Sequence, residues 1–210
     1  MSTVQTIPFH LPGEDLAGLS LLIPPPPRNG GDWFFDLCQA NSGWRFERNA
    51  HGEVIVVAPA GGESGDREIE VGAQLRVWAR REGSGRGFGA GTGFRLPNGA
   101  TRSPDAAWIR LERLSKLTAQ EKKKFIPLCP DFVVEIVSPS DRLPSVQEKM
   151  REYRENGARL GWLIDPERRK VHVYRSGKRV KLLHHPKRVP ASPEVPGFVL
   201  DLTEIWDPGF

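Results

Sequence analysis

The sequence predicts a mixed α/β domain, in which one β-sheet is flanked by helices. The chain has 210 residues, of which 38% are hydrophobic, and this is enough for a single domain with a sizeable core. Predicted strands alternate with two long helices along the chain, an order typical of α/β folds. The strand predicted over residues 131–137 is almost entirely apolar and rich in β-branched side chains. Such a strand is buried on both faces, so the sheet needs cover on both sides.

The chain is predicted to consist of a proline-rich N-terminal arm, residues 1–31, and a single domain over residues 32–210. The apolar residues 21–23 run into four consecutive prolines, residues 24–27. Consecutive prolines favour an extended polyproline II segment over a packed element. The arm is therefore not expected to contribute to the core of the domain.

Turn and capping signals place the first elements of the domain. Asp32 is suited to cap a short helix, and two short strands, residues 44–48 and 53–58, flank the hairpin signal at residues 49–52. The other strands are predicted over residues 103–110, 131–137, 160–165, 170–175, 179–183 and 198–202.

Helices are predicted over residues 66–81, 111–124 and 144–156. In the first, Ile69, Ala73 and Val77 recur every four residues, with Leu75 and Trp78 flanking them, and predict its apolar face. Gly157 suits the C-terminal cap of the last. The run Gly85–Ala90 matches a GxGxxA pattern, but it follows a helix and precedes a strand-like run, the reverse of the order that dinucleotide binding requires. We therefore do not interpret it as a nucleotide-binding loop.

Composition excludes some classes of protein and suggests a compartment. The two cysteines, Cys38 and Cys129, lie in apolar contexts without CxxC spacing, as reduced thiols of a cytoplasmic protein do. No stretch approaches the roughly 20 apolar residues of a membrane span, and no secretory signal precedes the domain. The sequence thus predicts a cytoplasmic protein with no membrane partner.

The charge of the chain is unevenly distributed. The formal net charge is +4, but residues 141–190 contain 14 lysines and arginines against six acidic residues. A basic half favours a polyanionic partner, nucleic acid above all, whose phosphates the cluster within residues 168–181 would contact. A solvated basic surface without a partner explains the charge equally well.

Two carboxylates occupy positions that are otherwise apolar. Glu135 lies inside the predicted buried strand, and a buried carboxylate without a partner costs several kcal/mol, so it needs a cation, a metal or a proton. Asp105 shares a strand face with Ala107 and Ile109, which are apolar. Pro104 cannot donate a ladder hydrogen bond, so Asp105 is expected near a strand start, where a ligand can reach it.

Lys149 is the charged residue of the helix over residues 144–156 that is best placed to reach the core. Val146, Met150 and Tyr153 form the apolar stripe of that helix, and Lys149 projects close to it. Two carboxylates at neighbouring strand ends make an oxygen site suited to Mg²⁺ or Mn²⁺, and an ammonium beside them can orient water or a phosphate. The alternative is a structural pair of carboxylates bonded to Lys149 or to backbone amides.

Together, these motifs resemble the Uma-two family of restriction-endonuclease-like proteins, within the PD-(D/E)xK nuclease superfamily. The similarity covers roughly residues 31–206. It is carried by residues 59–65, 102–108, 130–141, 149–153 and 161–166. The superfamily's usual lysine two residues after the glutamate is absent, because that position is Val137. In the Uma-two branch the lysine stands on the following helix, which matches Lys149.

The resemblance implies a restriction-endonuclease-like mixed β-sheet core and a Mg²⁺- or Mn²⁺-dependent endonuclease acting on DNA. It makes Asp105 and Glu135 the metal ligands and Lys149 the cation that orients water or phosphate. It further implies an acidic residue at the start of the first long helix, where Glu63 is the nearest match and Glu70 the second choice, and a homodimer. The competing hypotheses are a non-catalytic nucleic-acid-binding or regulatory module on a nuclease fold, and a hydrolase of another phosphoester.

Overall fold

The computed structural model describes residues 5–8, 20–23, 32–57 and 59–210. Contacts between residues divide the chain into two compact units, residues 1–59 and 60–210. The prolines predicted to form a polyproline II segment, residues 24–27, lie outside the described residues. The predicted boundary between an arm and a domain at residue 31 stays a prediction.

The first unit contains two strand pairs and a helix. Its elements are β1 (Gln5–Pro8), β2 (Ser20–Ile23), α1 (Trp33–Ala40), β3 (Arg45–Arg48) and β4 (Val54–Val57). Strands β1 and β2 pair antiparallel, as do β3 and β4. The Asp32 side chain accepts a hydrogen bond from the backbone N–H of Phe35, at 3.2 Å, which confirms the predicted cap. The Asn49 side chain accepts from the backbone N–H groups of His51 and Glu53 and closes the predicted hairpin.

The second unit is built on a six-stranded sheet with the strand order β12-β11-β10-β9-β8-β5. Its elements are α2 (Gly62–Glu82), β5 (Gly85–Gly89), β6 (Phe94–Arg95), β7 (Thr101–Arg102), β8 (Ala106–Arg110), α3 (Leu111–Leu114), a 3₁₀ turn (Glu121–Lys123), β9 (Phe132–Ile136), α4 (Leu143–Glu155), β10 (Leu160–Asp165), β11 (Lys170–Arg175), β12 (Lys181–His184), β13 (Arg188–Pro190), β14 (Val199–Asp201) and α5 (Thr203–Trp206). Strands β9 and β10 run parallel and the other neighbours in the sheet run antiparallel. The predicted mixed sheet is therefore confirmed.

Both faces of this sheet are covered, as the apolar strand over residues 131–137 required. All five residues of β9 are buried. Phe132 and Val134 pack in a core with Val71 and Leu75 of α2. Val133, on the opposite face, packs with Met150 of α4. Helix α2 and helix α4 thus close the two sides of the sheet, with the side chains of each strand alternating between them.

The predicted centre of the apolar face of the first long helix is wrong, although its flanking residues Leu75 and Trp78 do pack in the core. Helix α2 buries Val71, Leu75 and Ala79, whereas Ile69 is 70% exposed and Val77 is 49% exposed. Two apolar stripes run along this helix, and the one that also carries Trp78 packs on the sheet because it supplies the larger apolar area. The helix also begins at Gly62, four residues before the predicted start.

The continuous helix predicted over residues 111–124 is also wrong. Helix α3 ends at Leu114, and a separate 3₁₀ turn covers Glu121–Lys123. The side chains of Thr118 and Glu121 form a capping box: Glu121 accepts from the Thr118 N–H at 2.8 Å, and the Thr118 hydroxyl oxygen accepts from the Glu121 N–H at 3.2 Å. A capping box starts a new helical turn, so the segment cannot continue as one helix.

No helix in the described part of the chain combines the length and the apolar character needed to cross a bilayer.

Candidate active site

Glu135 is held by two side chains from helix α4. It lies on β9 with its side chain only 6% exposed. Its Oε1 atom is 2.9 Å from the Lys149 Nζ atom, and the Tyr153 hydroxyl donates to the same oxygen at 2.9 Å. Lys149 and Tyr153 are four residues apart on α4, so both point from the helix face that packs against the sheet. The predicted approach of Lys149 to Glu135 is what the structure shows.

Asp105 lies opposite Glu135 on the neighbouring strand of the sheet. Strands β8 and β9 pair antiparallel with Ala106 opposite Val134, and the same register continued by one residue places Asp105 opposite Glu135. The Asp105 Oδ2 atom accepts a hydrogen bond of 2.7 Å from the Ile136 backbone N–H. Asp105 precedes the first residue of β8, as Pro104 predicted. The structure therefore brings together Asp105, Glu135 and Lys149.

Burial and neighbouring negative charge raise the pKa of Asp105 well above its ordinary value. Loss of hydration on burial is the largest cause, and the carboxylate of Glu135 is the next. The Lys149 ammonium and the Ile136 N–H act in the opposite direction without cancelling these effects. Burial is thus the main reason that Asp105 resists carrying a charge and the carboxylate of Glu135 adds to it, and a bound cation would oppose both effects.

We expect Asp105→Asn to stabilise the metal-free protein, by an amount that grows with pH. Because the folded-state pKa of Asp105 is raised, its contribution to stability is full below the unfolded pKa, near 4, and is lost as the pH rises through the folded value. Asparagine keeps an acceptor for the Ile136 N–H without the charge. A gain of about 1 kcal/mol would raise the Tm by about 2–4 °C in a chain of this length. Thermal melts in EDTA at pH 5 and pH 8 check this, and a gain that is absent or shrinks at pH 8 contradicts it.

The two acids of α2 that the resemblance offered do not join this group in the structure. Glu63 is 59% exposed and pairs with Arg67 at 2.9 Å. Glu70 accepts a hydrogen bond from the Gln74 side chain at 2.7 Å. The acid of α2 whose charge acts on Asp105 is Glu68, which raises the pKa of Asp105 further. Sequence reasoning missed Glu68, and the signal for it is its place three residues before Val71 and seven before Leu75, beside the buried stripe of α2.

Glu68 and Asp105 share a cavity between helix α2 and strand β5. The α2–β5 cavity has a volume of about 510 Å³. It is lined by Gly65, Glu68, Ile69, Gly72, Ala73, Arg76, Gly87, Phe88, Gly89, Ala90 and Asp105. The lining residues of α2 recur every three or four positions, so one face of the helix forms one wall. The stripe of Ile69 and Ala73, predicted to face the core, faces this cavity.

The donor set suits a hard divalent cation. Among residues 5–8, 20–23, 32–57 and 59–210, no group of three or more histidine, cysteine or acidic residues is arranged to hold a metal. Mg²⁺, however, is commonly bound through one or two carboxylates, with water and substrate phosphate completing its octahedron. Asp105 and Glu135 supply these two carboxylates, and a cation would offset the burial and the Glu135 charge that together raise the pKa of Asp105. The residues present therefore fit Mg²⁺.

Comparison with known proteins supports a nuclease-like fold. The sequence model of the Uma2 family, described as “Putative restriction endonuclease”, matches residues 32–203. A solved structure from Anabaena variabilis ATCC 29413, described as a putative nuclease belonging to DUF820, is similar with a TM-score of 0.65 and 20% identity, over 77% of this chain and 89% of that chain. At this identity the likeness shows the fold alone. A comparison with curated proteins found no match.

Proposed function

The chain belongs to the Uma2 family, and we propose that it is a metal-dependent endonuclease that hydrolyses phosphodiester bonds of DNA. Asp105 and Glu135 are the proposed ligands of Mg²⁺ or Mn²⁺, and Lys149 is the proposed cation that orients water or a phosphate oxygen. The observation that carries the proposal is a buried glutamate paired with Lys149 opposite a second carboxylate whose pKa is raised well above its ordinary value. A purely structural ion pair needs no second acid, because the additional negative charge weakens it.

The residues divide the proposed work between them. Lys149 and Tyr153 both contact Oε1 of Glu135, which fixes the orientation of the carboxylate. The Ile136 N–H donates to Oδ2 of Asp105 and so fixes the orientation of that carboxylate. The ammonium of Lys149 is close enough to the acids to stabilise negative charge that develops on a phosphate. A bound divalent metal would polarise the phosphoryl oxygen and lower the pKa of the attacking water.

The family resemblance implies an acidic site residue at the start of the first long helix. Glu68 of α2 is better placed for this role than Glu63. Glu68 lines the α2–β5 cavity with Asp105 and acts on its pKa, whereas Glu63 is mostly exposed and paired with Arg67. We therefore propose Glu68 for this role and retain Glu63 as the alternative. The paired variants Glu68→Ala and Glu63→Ala separate the two, because only the residue in the site should be needed for activity.

Cleavage of supercoiled plasmid DNA tests the proposed function. We expect nicking or linearisation with Mg²⁺ or Mn²⁺ and none with EDTA. Asp105→Ala and Glu135→Ala are each expected to reduce the rate by at least about 100-fold, the usual effect of removing one group that stabilises transition-state charge. Glu148→Ala is the matched control, since Glu148 neighbours Lys149 on α4 but is 74% exposed. Activity that survives either site substitution would rule out the assignment.

A non-catalytic nucleic-acid-binding module is the second candidate. In the described ranges no third metal-ligating residue completes the site, and this observation favours it. It predicts binding that weakens steeply with salt, needs no metal and is not followed by cleavage.

A homodimer and a cytoplasmic location also stay proposals. Sedimentation of the purified protein with and without DNA tests whether it is a homodimer.

A further inference from the structure

The α2–β5 cavity is larger than the proposed metal site requires. A metal held by Asp105 and Glu135 would lie at the end of the cavity that Asp105 lines, while the remainder extends along α2 past Gly72 and Ala73 towards Gly87. That remainder is apolar and uncharged apart from Arg76, whose guanidinium donates to the Gly87 carbonyl at 3.2 Å. The cavity therefore has one acidic end and an apolar body, which suits a ligand with one phosphate next to an apolar or aromatic group.

Its glycines leave the cavity open. An ideal Cβ atom added at Gly65, Gly72 or Gly89 would meet no heavy atom within 4 Å, so no packing constraint keeps side chains out. Gly72 lies in the interior of α2, where glycine destabilises a helix relative to alanine. Open volume at these positions, next to Asp105, is therefore space that a ligand can enter.

The size of the cavity limits the ligand. A volume of about 510 Å³ lies within the roughly 300–1,000 Å³ of pockets that hold single small molecules. This is enough for one nucleotide, and the exposed side chains of Ile69 and Ala73 leave the cavity open to solvent. The acids are also recessed: Glu135 is 5% exposed, and the Lys149 side chain is 18% exposed. An intact duplex can present a phosphate to these groups from its outer surface, but its paired and stacked bases cannot enter the cavity.

We infer that the α2–β5 cavity receives one unpaired nucleotide beside the phosphate to be cut, so that the preferred substrate is single-stranded or locally unpaired DNA. This inference rests on the proposed function, because it names the substrate class of the same site. The base and sugar pack against Ile69 and Ala73, and the neighbouring phosphate lies at the end formed by Asp105. Enzymes that need a base outside the stack favour DNA that is already unpaired, because binding such DNA does not require energy to break a base pair.

Binding and cleavage of three labelled DNAs of one sequence test the inference: a single strand, a duplex with a short unpaired bubble, and a perfect duplex. Binding is measured by fluorescence anisotropy with Ca²⁺ in place of Mg²⁺, and cleavage with Mg²⁺. We expect the single strand and the bubble to bind at least about tenfold more tightly than the duplex, as contact with one base allows. Cleavage is expected to follow the same order.

Two variants on the same helix face give the matched comparison. Ala73→Phe fills the α2–β5 cavity, whereas Val77→Phe places the same ring one turn further along, at a residue that is 49% exposed and does not line it. We expect Ala73→Phe to weaken single-strand binding about tenfold and Val77→Phe to change it less than about twofold. Equal or tighter binding of the perfect duplex, or equal effects of the two variants, overturns the inference.

The outcomes separate this inference from the proposed nuclease activity. Cleavage of perfect duplex as fast as of the single strand leaves the nuclease standing and overturns the cavity assignment. Selective single-strand binding that Ala73→Phe abolishes, without cleavage of any of the DNAs, supports the cavity assignment and overturns the nuclease. Failure of the folded protein to bind or cut any of the three overturns both.

Discussion

Replacing Lys149 by methionine is expected to lower the free energy of unfolding by about 3 kcal/mol at pH 7. Methionine keeps much of the aliphatic stem and removes the ammonium that lies 2.9 Å from Oε1 of Glu135. Removing one partner of a buried pair leaves the other charge buried without compensation, which typically costs about 3–5 kcal/mol. The lower end applies because Lys149 is 18% exposed and Tyr153 still donates to Glu135. Urea unfolding in EDTA measures the loss.

The double variant Glu135→Gln with Lys149→Met is the control. If the cost arises from an uncompensated carboxylate, removing the negative charge as well should restore most of the lost stability, and the two effects should be strongly non-additive. Glutamine also retains an oxygen that can accept from Tyr153. Losses that simply add would mean that Lys149 stabilises the protein by packing of its stem.

Gly85→Ala is expected to destabilise the protein by about 3 kcal/mol, the upper part of the range for overpacked cores. An ideal Cβ atom at Gly85 would lie 2.2 Å from the Trp108 ring, which is 1% exposed. A buried indole is rigid and enclosed by its neighbours, so either the ring or the backbone of β5 must move. The expected fall in Tm is about 2–4 °C for each kcal/mol lost.

Gly89→Ala provides the comparison within the same strand. Gly89 ends β5, and a Cβ atom added there meets nothing within 4 Å. Its expected effect on stability is less than about 0.5 kcal/mol, as for other exposed positions. Equal destabilisation by the two substitutions would show that strand flexibility, and not contact with Trp108, explains the effect of Gly85→Ala.

The parts of the fold that follow a simple period were predictable from the sequence. Strands β10 and β11 have the bounds that alternation and their connecting turn predicted, and α4 differs from its prediction by one residue at each end. The approach of Lys149 to Glu135 followed from the same reasoning, because the stripe of α4 fixes which side chains face the sheet. Each of these elements has one strongly apolar face, so its orientation has a single low-energy solution.

The rotation of α2 about its axis was not predictable, because that helix carries two apolar stripes. Which stripe is buried depends on the area that the sheet offers, a tertiary property. With the wrong stripe turned inward, the sequence did not indicate that Glu68 lies near Asp105, and Glu63 and Glu70 were the acids considered. The partner of the Tyr153 hydroxyl was likewise hidden, since a tyrosine in an apolar stripe does not reveal where its O–H points.

The position of Lys149 on α4 also affects the order in which the site assembles during folding. Glu135, Lys149 and Tyr153 lie within the continuous segment β9–α4–β10, in which Tyr153 follows Glu135 by 18 residues. Asp105 joins this group through its hydrogen bond from the Ile136 N–H, and these two residues are 31 positions apart in the sequence. Short loops close at lower entropic cost than long ones, so the segment β9–α4–β10 favours early pairing of Glu135 with its ammonium. The second carboxylate then arrives when Lys149 already offsets part of the charge of Glu135, so the repulsion that the folding chain must overcome is smaller.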